Sequence, residues 1–431
     1  MVETVRERGN GRGIQGRTVY IPQMAYAGAR LSVACFKSVG IDAEVTPASD
    51  ARTLELGGLH TSGEECFPHK VTVGDFLKIC QTPGFKPERT AFLMPTAHGP
   101  CRFGQYSPYL RRLMESLGYG DVLVLSPTSE DGYSGFGDAA RELVPSMWLA
   151  VVGGDILQRL LLKTRPYETR AGDADAVFEE GIEAFSRVLS KPGLKRGQRV
   201  LALVEEVRKV RDRFRSVPAR YEKGRPLIGL VGEIFCRLHT FSNEDTARQI
   251  ERLGGECWLS DISEWIWYTN WYSDKYMART RGRLNTRYLS MKLKVAFQRR
   301  YEQMLLAPLA EDLRGYEEPH DIREVLEAAK PYLPAEGCIG EMVLSCGKTI
   351  YLHKKGADGI LDISPFTCMN GIICEAVYPA LSAAHDDIPI RVCYFDGVNT
   401  NIDRDLEIFL DLARAYQKRK RYPRVYPAYF R

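Results

Sequence analysis

Short apolar runs alternate with amphipathic stretches along this chain, and that rhythm constrains its fold more than any other feature. Val19–Pro22 reads as a strand, Ala25–Val39 as a helix stopped by Gly40, and Asp42–Thr46 as a second strand. Pro68–Ile79 has helical spacing, Ala91–Met94 is an apolar strand, Pro108–Leu117 is a helix ending at Gly118, and Asp121–Leu125 is a further strand. The pattern returns later. Leu227–Val231 and Glu256–Leu259 read as strands around a helix at Ser242–Leu253. Glu341–Lys355 reads as a helix stopped by Gly356, followed by strand Gly359–Ile363, helix Gly371–His385, strand Ile388–Phe395 and helix Arg404–Lys418. Strands this short and this apolar are buried on both faces, which is the condition of a parallel sheet covered by helices.

The expected fold class is therefore α/β: two three-layer domains with parallel sheets, joined by helical insertions. Residues 1–16 are polar and glycine-rich and are expected to be mobile. Residues 17–145 form the first α/β domain. Residues 146–224 form a helical linker, with apolar residues three and four apart in Asp175–Leu189 and Gly197–Val217. Residues 225–261 and 335–418 form the second domain, interrupted by an aromatic and basic helical insertion over 262–334. Residues 419–431, a basic tail punctuated by proline, are expected to be solvated or loosely docked, with an acidic partner as one possible contact.

Composition narrows the function classes. Over 431 residues, 59 Lys+Arg against 55 Asp+Glu leave a net charge of only +4, and no basic stripe with interleaved aromatics argues for nucleic acid. The longest apolar stretch, Trp148–Leu162, is broken by Gly153-Gly154-Asp155 and Arg159, well short of the ~20 residues that span a bilayer. The amino terminus has charge but no apolar core of a signal peptide, so a cytoplasmic protein is expected. The glycine-rich GNGRGIQG precedes the first strand instead of following one, and no GxxxxGK[ST] exists, so no nucleotide is expected on this chain.

Cysteine is the unusual residue. There are eleven, an odd number spread along the chain, and no CxxC pair occurs. That excludes zinc ribbons, thioredoxin-like motifs and ferredoxin-type runs. Any metal must be held by cysteines from distant segments; otherwise these are small buried hydrophobes. Three of them share a context. Cys66 (TSGEECFPHK) precedes a helix with Pro68 in its first turn, and Cys101 (PTAHGPCRFGQY) and Cys368 (SPFTCMNG) each follow a strand and precede a helix. Carboxyl ends of strands in α/β sheets collect ligands, and helix amino termini favour thiolates and anionic clusters. Cys35 and Cys80 fall in helices, Cys257 and Cys393 in strands.

TVYIPQMAYAGARL, TSGEECFPHKVTVGDFL, HGPCRFGQY, VGEIFCRLHTFSNEDTARQIERLGGE and ADGILDISPFTCMNGIICEA together resemble the 2-hydroxyacyl-CoA dehydratase superfamily, in its activase-associated branch that includes double-cubane cluster proteins. The resemblance implies two flavodoxin-like, Rossmann-like domains with helical additions and an oxygen-sensitive [4Fe-4S] cluster held by Cys66, Cys101 and Cys368. It implies a separate ATP-hydrolysing activase that supplies low-potential electrons, a small-molecule or acyl-CoA substrate, and a homodimer or heterodimer. Cys338 and Cys346, in GCIGEMVLSCGK, and Cys236 depart from the apolar residues expected there. They are either packing residues or, for Cys346 ahead of Cys338, extra ligands of an [8Fe-9S] double cubane.

Three thiolates leave one iron open to water or substrate, whereas four would close it and leave plain electron transfer. Glu65, His69 and His98 stand near the cysteines in sequence and are the candidate proton-moving groups, against the plainer reading of a loop carboxylate and a solvated helix histidine. Arg102 either offsets the negative cluster or faces water. Trp267 and Trp271 share a helical face, as core or as the wall of a substrate channel. The expected function is an iron–sulfur redox component that reduces or dehydrates a small substrate. The alternatives are a non-catalytic electron relay and a fold that has lost its metal.

Overall fold

The computed structural model describes residues 13–96, 99–128, 132–280, 282–337, 339–398 and 402–431. The first α/β unit runs β1 (Thr18–Ile21), α1 (Tyr26–Ser38), β2 (Ala43–Val45), α2 (Ala51–Leu59), α3 (Phe67–Cys80), β3 (Thr90–Leu93), α4 (Tyr106–Ser116) and β4 (Leu123–Leu125). Three helices follow: α5 (Ala140–Thr164), α6 (Asp173–Leu189) and α7 (Arg196–Ser216). The second unit starts with β5 (Leu227–Gly232), α8 (Ile234–Leu238), α9 (Thr246–Arg252) and β6 (Glu256–Leu259). After α10 (Ile262–Thr280), α11 (Thr286–Leu306) and α12 (Arg323–Ala329) it resumes with α13 (Glu341–Lys354), β7 (Gly359–Pro365), α14 (Met369–Ala384), β8 (Ile390–Phe395) and α15 (Ile402–Gln417).

Among the described residues both sheets have four strands, all parallel, and the same order. The first runs β2-β1-β3-β4 and the second β6-β5-β7-β8. In each, the first strand lies between the second and third, so the chain leaves it in opposite directions and opens a crevice at the carboxyl edge. Every residue of β3, β5, β6 and β7 is buried, as their near-continuous apolar sequences require. Gly232 ends β5 with φ +112°, and a Cβ there would lie 2.3 Å from the Ile363 carbonyl oxygen. Only glycine lets the chain turn so close beneath β7.

The stretch after residue 140 shares the first sheet's core. Leu149, Ile156 and Leu157 of α5 pack in one cluster with Leu31 and Phe36 of α1, Phe185 of α6 and Val207 of α7. Trp267 packs edge-on against Trp148, and Trp265 and Trp271 lean on the buried Tyr268, so the tryptophan stripe joins two cores.

The carboxy-terminal tail corrects an expectation, because it is firmly packed. Arg424 is 8% exposed and donates to Glu256 Oε2 at 2.6 Å, while Phe430 is buried against Tyr167 and Tyr221. The Glu256 carboxylate also accepts hydrogen bonds from Tyr167 and Tyr316, so the arginine enters a prepared anionic socket. No described helix is long and apolar enough to cross a membrane.

Candidate metal centre

Cys66, Cys101 and Cys368 occupy one local position three times. Each immediately precedes a helix: Cys66 precedes α3, Cys101 the 3-10 turn Arg102–Gln105 that leads into α4, and Cys368 precedes α14. Their φ angles are −72°, −67° and −68°, all with extended ψ. An extended residue at a helix start lays its side chain over the first turn, where N–H groups lack helical acceptors. The N–H groups of His69, Phe103, and Asn370 with Gly371 lie near the sulfurs of Cys66, Cys101 and Cys368 respectively, though none of these sulfurs caps its helix with a hydrogen bond.

Two of these cysteines belong to the first sheet's half and the third to the second, and Arg102 ties all three loops together. Its Nη1 donates to the Glu64 carbonyl at 2.6 Å and its Nη2 to the Thr367 carbonyl at 2.7 Å. One guanidinium thus grips the chain two residues before Cys66 and one before Cys368, from its own place beside Cys101. Tyr106 adds a hydrogen bond between its hydroxyl and the Cys66 sulfur.

Carboxyl groups from the second unit complete the setting. Glu233 follows Gly232 at the carboxyl end of β5 and accepts from Phe235 N at 3.0 Å and Cys236 N at 2.8 Å. Glu341 opens α13, is 7% exposed and accepts from Ile234 N at 2.8 Å. Both lie within the electrostatic reach of Cys101 and Cys368. Burial, with the Glu233 charge behind it, pushes the Glu341 carboxyl up to about 8 against the pull of Arg237. Burial likewise raises the thiols, Cys66 upward, Cys101 to about 11 and Cys368 to about 12. Without metal all three hold their protons at neutral pH.

The proposed proton-moving residues are placed differently from one another. Burial works to raise the Glu65 carboxyl, but hydrogen bonds from Ser62 and the main chain hold it below its ordinary value. It is the staple of its own loop. His69 is not solvated: it is 3% exposed, stacked on Tyr106 at 4.3 Å with Tyr109 at its edge. Burial lowers it to about 4, so the ring is neutral at physiological pH. His98 and Cys338 lie outside the described residues. Cys346 is fully buried in α13, its sulfur 4.0 Å from that of Cys374 on α14. Cys236 is also fully buried, in α8 after β5, whose neighbour β7 leads to Cys368.

Sequence reasoning missed Tyr106, Glu233 and Glu341. Their only signals were adjacency to motifs already singled out, HGPCRFGQY, VGEIF and GCIGEMVL. Among the described residues no three His, Cys, Asp or Glu side chains stand close enough to hold a single metal ion. Thiols are the donor type that takes soft metals and iron–sulfur clusters. Three cysteines at helix starts with an arginine bridging their loops are residues that could hold such a group. No protein-family model and no curated protein matches the chain.

Proposed function

We propose that this chain is the iron–sulfur component of a two-component redox system. It takes low-potential electrons from an ATP-hydrolysing activase and reduces or dehydrates a small molecule or acyl-CoA. The observation that carries this reading is the triple repeat of a cysteine at a helix start, with Arg102 bound to the loops of the other two. When bound, a [4Fe-4S] group, or an [8Fe-9S] double cubane, would supply one-electron reduction and an open iron acting as Lewis acid.

Cys66, Cys101 and Cys368 would hold that group. Tyr106 would donate to the Cys66 sulfur and draw off part of its negative charge. Glu341, which retains its proton near neutrality, would hold that proton at its carboxyl oxygen close to the site. Arg102 would keep the loops in register. The reading places the chain in the cytoplasm, as a homodimer or heterodimer.

The test is anaerobic reconstitution with iron and sulfide, followed by elemental analysis and EPR after reduction. The expected result is about four irons per chain, or eight for a double cubane. Cys66→Ser, Cys101→Ser and Cys368→Ser should each lose most of the signal. Full cluster content in Cys368→Ser would sink the ligand assignment. Turnover with activase and ATP, against acyl-CoAs and small reducible molecules, tests catalysis. A second reading is a closed four-thiolate electron relay with Cys236 as the fourth thiol, since Cys236 follows β5 and Cys368 follows the adjoining strand β7. Loss of cluster in Cys236→Ser as severe as in Cys66→Ser would support it.

A further inference from the structure

We propose that Thr367 is a positioning residue. It holds the turn before α14 in a strained form that glycine would relax, and so fixes the place of Cys368. That Cys368 serves a metal rests on the reading above; the way its thiol is presented can be tested on the metal-free chain.

β7 ends at Pro365 and α14 starts at Met369, so Phe366, Thr367 and Cys368 make the whole connection. Cys368 N donates to the Pro365 carbonyl at 3.0 Å and closes a β-turn with Phe366 and Thr367 at its centre. Thr367 has φ +63°, whereas Phe366 does not have a positive φ. A turn whose second central residue alone is left-handed follows the type II pattern, which calls for Gly or Asn at that place. A β-branched residue there crowds its own backbone and is unfavourable. The neighbouring loops follow the ordinary rule: Gly63 (φ +93°) precedes Cys66, and Gly99 (φ +112°) precedes Cys101.

The Thr367 side chain supplies what glycine lacks. Arg102 Nη2 donates to the Thr367 carbonyl at 2.7 Å and also reaches its Oγ1 at 3.3 Å. Thr367 is exposed, so burial does not account for a methyl and a hydroxyl at this position. The hydroxyl gives the arginine a second hold on the same residue, while Arg102 Nη1 is anchored on the Glu64 carbonyl at 2.6 Å. On the other side, Phe366 N donates to the Phe395 carbonyl at 2.8 Å and pins the turn to β8.

Glycine would take the left-handed angle without strain, and would also let the turn leave it, since many other conformations are open to it. Threonine has fewer, and with its hydroxyl tied to Arg102 it keeps one. Cys368 then enters α14 with φ −68° and ψ 124° and is 8% exposed. A residue kept for stability alone would weaken the fold when replaced by glycine. Thr367 should do the reverse: the fold gains and the thiol loses its fixed place.

The test compares the full chain with Thr367→Gly and Thr367→Ser, purified anaerobically and metal-free. Thr367→Gly should raise the thermal unfolding temperature by about 1–3 °C, because the left-handed strain is gone. In the same variant, alkylation of Cys368 by iodoacetamide, followed by peptide mass spectrometry, should run about threefold faster, the size of effect expected for one lost hydrogen bond. Thr367→Ser keeps the hydroxyl and should alkylate at the parent rate. After anaerobic loading with iron and sulfide, Thr367→Gly should retain less iron through dialysis than Thr367→Ser. A lower unfolding temperature in Thr367→Gly, or Cys368 alkylation equal to the parent's, overturns the proposal. A parent chain that takes up no iron overturns the metal reading instead, and the two metal-free arms still decide the part played by Thr367.

Discussion

A side chain that touches several loops at once has effects out of proportion to its size, and Arg102 is such a residue. Its two main-chain acceptors belong to loops 38 and 265 residues away. Arg102→Ala should leave the fold intact, because the hydrogen bonds of this exposed side chain contribute about 1 kcal/mol. Iron retention during anaerobic dialysis should nevertheless fall several-fold, measured against Arg102→Lys, which keeps the charge but not the two-pronged reach. Lys348 is the opposite case. It is fully buried and pairs with Glu264 at 3.0 Å and with Glu318. Lys348→Met leaves two buried carboxylates facing each other and should cost about 3–5 kcal/mol in urea denaturation. The thiols make a third prediction at this scale. Binding must remove protons that burial holds on Cys101 up to about 11 and on Cys368 up to about 12. Iron loading of the metal-free protein should therefore be more complete at pH 8.5 than at pH 7, read as iron per chain.

Among elements, the tail is the one whose composition misled. KRKRYPRVYPAYFR reads as a solvated basic segment, yet Arg424 pairs with Glu256, a partner 168 residues away that no local pattern discloses. Arg424→Met should lower stability by about 3–5 kcal/mol, because Glu256 would be left buried without the cation that pairs with it, keeping only its tyrosine hydrogen bonds. Thermal unfolding followed by circular dichroism checks this. The strands and long helices were legible for a plain reason: burial on both faces writes a continuous apolar run, and the glycine stops at Gly40, Gly118, Gly254 and Gly356 all have positive φ. The helix α2 escaped notice because its residues, ARTLELGGL, mix polar groups with a glycine pair in the last turn. The helix expected over Ser242–Leu253 is shorter, starting at Thr246. Asp245 before it is left-handed, and the Asn243 side chain is drawn back to the carbonyls of Cys236 and Arg237. The cysteine positions were legible for the same local reason, helix starts bounded by Gly and Pro. Glu233 and Glu341 were not, because only the sheet order brings β5 and α13 to the cysteine loops.

Over the whole molecule, buried acids outnumber their compensation near neutrality, and the sign of the resulting pH dependence can be worked out. Burial raises Asp75 to about 6, Glu302 to about 7 and Glu341 to about 8. Where the folded protein holds protons that the unfolded chain releases, stability falls as pH rises. Below about pH 6.5 this is opposed by His69 and His239, which burial lowers to about 4 and which gain protons on unfolding. Between pH 6.5 and 8 the histidines no longer contribute, and Glu302 and Glu341 remain. The urea stability of the metal-free protein should decline by about 1–2 kcal/mol across that interval. Glu341→Gln, which keeps the acceptor for Ile234 N, should flatten the decline.

The position of the three cysteines also sets a mechanical condition. Cys66 and Cys101 are stitched to one half of the molecule and Cys368 to the other, so anything gripping all three becomes a suture across the seam. A swing of one half against the other would tear it. A ligand of a group so held would have to reach it without the halves parting.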